Sequence, residues 1–139
     1  MQATFPGKIC YTKGMKLTAN MEDYLEAVAF CADENGMARV SDIRDMLGVK
    51  TPSVTGAMKA LAKEGYVVHA RYSGITLTAK GRRAAQDVKN RHELFRHFLT
   101  NVLGVSPKIA EEDACKMEHS VSKETLSKLH SYVNKINAK

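Results

Sequence analysis

Cys115, Glu118 and His119 spell C-x-x-E-H near the end of the chain. On a helix, positions i, i+3 and i+4 bring this thiol, carboxylate and imidazole onto one face. Each is a good ligand for a divalent first-row transition ion. A single helix seldom completes a coordination sphere, so partners must come from other segments. Asp23 and Glu26 stand at i, i+3 in a helical pattern near the start, and His92 lies in a long helical pattern further on. Each also has an ordinary reading. An acidic residue in a first helical turn favours the helix dipole, and a lone His is more often a surface or core residue than a ligand. Taken alone, the six residues leave a metal site open. His92-Glu93-Leu94-Phe95-Arg96-His97 looks like a zinc-protease signature. Its two His are five apart rather than four and diverge by roughly 140° around a helix, which excludes that chemistry. His69 and His130 have no partner visible in sequence.

The elements that must position these ligands follow from periodicity and punctuation. Met21, Tyr24, Leu25, Val28 and Cys31 recur at helical spacing, which predicts a first helix from Thr18 or Asn20 to Glu34, stopped by Asn35-Gly36. Ala38-Arg39-Val40 is a short strand-like stub. Ser41 is expected to cap a short helix that Gly48 ends, and Thr51 to cap the next, with Pro52 at its first position. That helix turns Val54, Met58 and Leu61 inward and stops at Gly65. Residues 66–71 and 75–77 form a predicted hairpin about Tyr72-Ser73-Gly74. A long helix is expected from Thr78 to Leu103, a fifth from Ser106-Pro107 to His119, and a sixth from Ser122 to Asn137.

Helix, short helix, tight turn, helix and hairpin is the order of a winged helix-turn-helix. The second helix of such a pair presents its N-terminal residues to the DNA major groove. Here these are Lys50, Thr51, Pro52, Ser53, Thr55 and Gly56, with Lys59 one turn on for a phosphate, and Arg71 and Tyr72 at the wing tip. The charge agrees. Residues 50–83 carry seven Lys and Arg against Glu64 alone, a net of +6 that equals the charge of the whole chain. A basic segment in an otherwise neutral protein points to a polyanion partner.

The 139 residues are 44% hydrophobic, enough for a real core. No apolar run approaches the ~18 residues of a membrane span, and the first residues lack a secretory h-region. The three Cys are odd in number and far apart, which argues against a disulfide framework. These features predict a cytoplasmic protein without a membrane partner. The fold class expected is mainly α, an N-terminal winged helix-turn-helix followed by a helical dimerisation lobe. The divisions expected are a leader over 1–17, the DNA-binding domain over 18–84, and a helical metal-binding and dimerisation domain over 85–139. Met15 is a second candidate start.

Residues 15–137 resemble the metal-dependent transcriptional repressors typified by the diphtheria toxin repressor and the manganese transport regulator. The motifs that carry the resemblance are M-E-D-Y-L-E (21–26), A-R-V-S-D-I (38–43), P-S-V-T (52–55), L-T-A-K-G (77–81), R-H-E-L (91–94) and C-K-M-E-H (115–119). The resemblance implies a homodimer that binds a palindromic operator in double-stranded DNA when a divalent metal is bound. It implies Asp23, Cys115, Glu118 and His119 as principal ligands, with Glu26 and His92 matching further ligands of the manganese branch. Asp23 is the manganese-branch residue where the iron branch has Met. Cys115 is the iron-branch residue where the manganese branch has a carboxylate able to bridge two metals, so one metal or two stays open. Arg96 falls where the iron branch has a Glu of its ancillary site. A thiolate favours Fe(II) over Mn(II), whereas the carboxylates accept both. Fe(II) is therefore the favoured cofactor and Mn(II) the close alternative.

An alternative is a winged-helix regulator that senses a small molecule, or thiol oxidation through Cys115. A metallo-hydrolase is disfavoured, because no nucleophile or base stands at recognisable spacing and the proposed sphere is rich in ligands; no enzyme activity is expected.

Overall fold

Thr18 opens the first helix. Its side-chain oxygen accepts the Met21 N–H at 3.2 Å, which satisfies one of the free donors of the first turn. The computed structural model describes residues 17–70 and 74–137. The expected leader thus falls outside the described residues except for Leu17, as do the wing-tip residues Arg71 and Tyr72. The chain divides between Gln86 and Asp87 into two compact units.

The earlier unit contains α1 (Ala19–Cys31), β1 (Met37–Ala38), α2 (Val40–Leu47), α3 (Thr51–Lys63), β2 (Val67–Ala70) and β3 (Gly74–Leu77). Tyr24, Leu25 and Val28 of α1 are buried as the periodicity predicts, together with Ala27. The helix stops at Cys31 rather than Glu34. Asp33 explains the early stop: its carboxylate accepts the N–H groups of Asn35 at 2.8 Å and Met37 at 3.0 Å. A side chain that folds back on the following backbone favours a turn over another helical turn.

The strand stub also shifts. Met37 and Ala38 pair with Thr76 and Ile75, completing a three-stranded antiparallel sheet of order β1-β3-β2. Val40 starts α2 instead. Ser41 does not cap α2, because the first helical bonds, from Asp42 and Ile43, already go to the Arg39 carbonyl. Gly48 ends α2 in the left-handed conformation (φ 65°), as its type predicts. Thr51 is likewise inside α3 rather than its cap, since Ser53 and Val54 donate to the Lys50 carbonyl. The hairpin register pairs Val67 with Leu77 and His69 with Ile75.

α4 (Ala79–His97) begins in this unit and continues into the next. Thr78 holds its start. The Thr78 hydroxyl accepts the Gly81 N–H at 3.0 Å and donates to the Gly65 carbonyl at 2.6 Å. The later unit contains the rest of α4, a π-helical turn (Phe98–Val102), α5 (Pro107–Met117) and α6 (Lys123–Asn137). The long helix expected to Leu103 therefore widens after His97, and Leu103 donates to the Phe98 carbonyl five residues back. Leu94, Phe95, Ala114, Leu126 and Val133 form this unit's core.

Candidate metal centre and nucleic-acid interface

α5 ends at Met117, so Glu118 and His119 lie just past the helix that was expected to carry all three residues of the C-x-x-E-H motif. Glu118 keeps helical dihedrals (φ −59°, ψ −25°) and its N–H still bonds the Ala114 carbonyl. The Ser120 N–H then turns back to the Met117 carbonyl, and this closes the segment before His119 can extend the helix.

Glu118 is only 1% exposed. A buried carboxylate needs partners, and it has two on its side chain. Oε2 lies 2.7 Å from His92 Nδ1, and Oε1 lies 3.2 Å from His119 Nε2. Its backbone carbonyl accepts from the buried Arg91 guanidinium at 3.0 Å. Burial pulls the Glu118 carboxyl upward, but the hydrogen bonds from His119 and His92 outweigh it and hold the group below its ordinary range.

His92 is gripped on both sides. Its Nε2 lies 2.7 Å from Glu111 Oε1, opposite the Glu118 contact. The hydrogen bond to Glu118 and the charges of both carboxylates overcome partial burial and push the imidazole up to about 9. Cys115 Sγ is 3.7 Å from His92 Nδ1. One donor atom each from His92, Glu111 and Cys115 lie within 4.8 Å of one another. An imidazole, a carboxylate and a thiol at that separation suit a borderline divalent ion.

His92, Cys115, Glu118 and His119 thus belong to one cluster of the later unit, whereas Asp23 and Glu26 lie on α1 in the earlier one. Glu111 was missed from the sequence. Its signal was present: it stands four residues before Cys115 and seven before Glu118, on the same helical stripe.

Six of the residues expected to face DNA lie on α3. α3 buries Val54, Ala57, Met58 and Leu61. Thr51, Pro52, Ser53, Gly56 and Lys59 are exposed, with Lys50 just ahead of them and Thr55 half-buried. Arg44 was not foreseen here; its guanidinium reaches across from α2 to Thr51 Oγ1 at 3.3 Å.

Comparison with known proteins identifies the family. Residues 16–75 match the family described as iron dependent repressor, N-terminal DNA binding domain. Residues 78–139 match its companion, the metal binding and dimerisation domain. The transcriptional regulator MntR of Escherichia coli is 41% identical over 119 residues, 86% of this chain and 76% of its own. The chain belongs to the iron-dependent repressor family. Members of this family are metal-dependent, DNA-binding transcriptional repressors, and the resemblance read from the sequence is borne out. An uncharacterised helix-turn-helix regulator of Methanocaldococcus jannaschii is 36% identical over 124 residues, 88% of this chain and 99% of its own. A solved manganese-dependent transcriptional repressor in complex with manganese is 30% identical and superposes with a TM-score of 0.71 over 81% of this chain. This chain spans 52% of that solved one. Among the described residues, no helix is long and apolar enough to cross a membrane.

Proposed function

We propose that this repressor is activated by Fe(II) or Mn(II), acts as a cytoplasmic homodimer on a palindromic operator, and controls genes for uptake of the same metal. The carrying observation is the His92, Glu111 and Cys115 donor set, whose atoms lie within 4.8 Å on residues matched by the family's metal-binding domain. Cys115, Glu118 and His119 hold the ion, with Asp23, Glu26, His92 and Glu111 completing the ligands. The DNA-binding domain spans 18–84 and the metal-binding and dimerisation domain 85–139.

When bound, the ion supplies positive charge and directional coordination to carboxylates that otherwise repel one another. The chain's own residues do the rest. Glu118 is fixed in place by Arg91, His92 and His119 before any ion arrives. Asp23 and Glu26 tie α1, and with it the α3 recognition helix, to the state that binds DNA. Lys50, Thr51, Pro52, Ser53, Thr55 and Gly56 meet base edges and sugar-phosphate, Lys59 a phosphate, and Arg71 with Tyr72 the flanking backbone. Two recognition helices must meet half-sites about 34 Å apart, so a fixed spacing favours operator binding. A shift from 1:99 to 99:1 needs about 5.5 kcal/mol of differential binding.

The thiolate of Cys115 weights the choice toward Fe(II), whereas the solved relative's own metal is manganese. The test is anaerobic operator binding titrated with Fe(II), Mn(II) and Zn(II), for wild type and Glu118→Ala. Activation by metal in the wild type and its loss in Glu118→Ala are expected. Operator binding by the metal-free wild type at full affinity would sink the mechanism.

A further inference from the structure

Arg96 stands one helical turn beyond His92 on α4, on the same face. Its Nε lies 3.8 Å from Glu111 Oε2, while Glu111 Oε1 lies 2.7 Å from His92 Nε2. One carboxylate therefore spans an imidazole and a guanidinium. The Arg96 and Glu111 side chains are 51% and 55% exposed, and their separation is too long for a hydrogen bond. The pair is an electrostatic contact at the rim of the His92, Glu111 and Cys115 donor set.

We propose that Arg96 is a built-in cation that sets how tightly this donor set takes a divalent ion, both by repelling the ion and by its hold on Glu111. The inference rests on the proposed metal-dependent function. Arg96 draws on the same carboxylate that an ion at the donor set needs, and its fixed charge repels that ion. An Arg cannot escape by losing its proton. At a half-exposed site with a water-like dielectric, a monovalent and a divalent charge some 6 Å apart oppose binding by roughly tenfold. Salt screens exposed charges, so the effect fades as ionic strength rises. As stability alone, an exposed pair of this kind contributes little.

The test uses the full chain with Co(II) as probe under anaerobic conditions, read by thiolate-to-cobalt absorption and by bound metal after gel filtration. Arg96→Gln is expected to bind roughly tenfold more tightly at low salt and to converge on wild type at about 1 M salt. Arg96→Lys keeps the charge and is expected to behave like wild type. In a Glu111→Gln background, Arg96→Gln is expected to gain less, because only the direct repulsion remains and the cycle of the two isolates the part that runs through Glu111. Equal affinity in wild type and Arg96→Gln overturns the proposal, as does a gain that is undiminished in the Glu111→Gln background. Absence of Co(II) binding in every variant refutes the proposed function and this inference together; binding that ignores Arg96 refutes this inference alone.

Discussion

His92 must lose a proton to become a ligand. With Glu118 and Glu111 on its two ring nitrogens, its pKa sits near about 9, so at neutral pH the metal-free protein holds an imidazolium there. Metal binding then releases that proton, and on its account alone apparent affinity rises with pH by up to about tenfold per unit below 9. Calorimetry in buffers of different ionisation enthalpy is expected to show about one proton more released by wild type than by His92→Gln at pH 7.5, since the proton that Cys115 gives up as a thiolate ligand is common to both. The stability of the metal-free protein runs the other way. A raised pKa contributes stability that is complete below the unfolded value near 6.5 and is lost as pH climbs through about 9. Its Tm is therefore expected to fall across that window, and less so for His92→Gln. Cys115 argues a separate point. Replacing it with Glu swaps a soft donor for a hard one, so operator activation is expected to shift toward Mn(II) relative to Fe(II). An unchanged preference would refute the role given to the thiolate. Much of this cluster was legible, because C-x-x-E-H announces its chemistry in consecutive residues. Arg91 was not: its burial against the Glu118 carbonyl depends on a contact 27 residues away in the chain, which no local spacing encodes.

Elements were legible where a residue acts on its immediate neighbours. Gly48 stops α2 because it alone adopts φ 65° without strain, and α3 buries Val54, Met58 and Leu61 because their spacing is helical. Local spacing misleads where side chains compete with the helix. Asp33 ends α1 early, and the step at Phe98 from α-helix to π-turn has no signature that a periodicity count detects. Gly81 belongs with the hidden features. It reads as a weak point inside α4, yet a Cβ there would overlap the Tyr66 carbonyl oxygen, a backbone atom with no room to move. The glycine lets α4 start directly against the end of the α3–β2 connection, where Thr78 bonds both the Gly65 and Tyr66 carbonyls. Gly81→Ala would improve helix propensity and still is expected to destabilise by about 2–3 kcal/mol, since overpacking against backbone outweighs the helical gain. Chemical denaturation of the metal-free protein measures it. A variant as stable as wild type would show that the start of α4 shifts freely.

At the scale of the molecule, the matched metal-binding and dimerisation domain must offer a surface to its second copy. Within residues 87–137 a mainly apolar groove runs between the π-turn and α6, lined by Phe98, Val102, Leu103, Leu129 and Tyr132, with Glu124, Thr125 and Lys128 beside them. Leu103 is 58% exposed and Tyr132 51%. Large apolar side chains gathered on one groove mark an interaction surface more reliably than the same residues scattered singly. A two-fold dimer uses the same patch on both copies, so one substitution alters the interface twice. Leu103→Lys places a charge at each copy of the patch, and taking it out of water is costly even with Glu124 in the same groove. Because Leu103 contributes nothing to either buried core, the variant is expected to fold. Sedimentation is expected to show a monomer at concentrations where wild type is a dimer. Operator affinity is expected to fall with it, because a monomer engages one half-site and forfeits the second. The metal cluster provides the control: Co(II) absorption through Cys115 is expected to survive, since His92, Glu111 and Cys115 all come from one chain. A Leu103→Lys protein that remains dimeric and binds operator as wild type would place the dimer contact on another face.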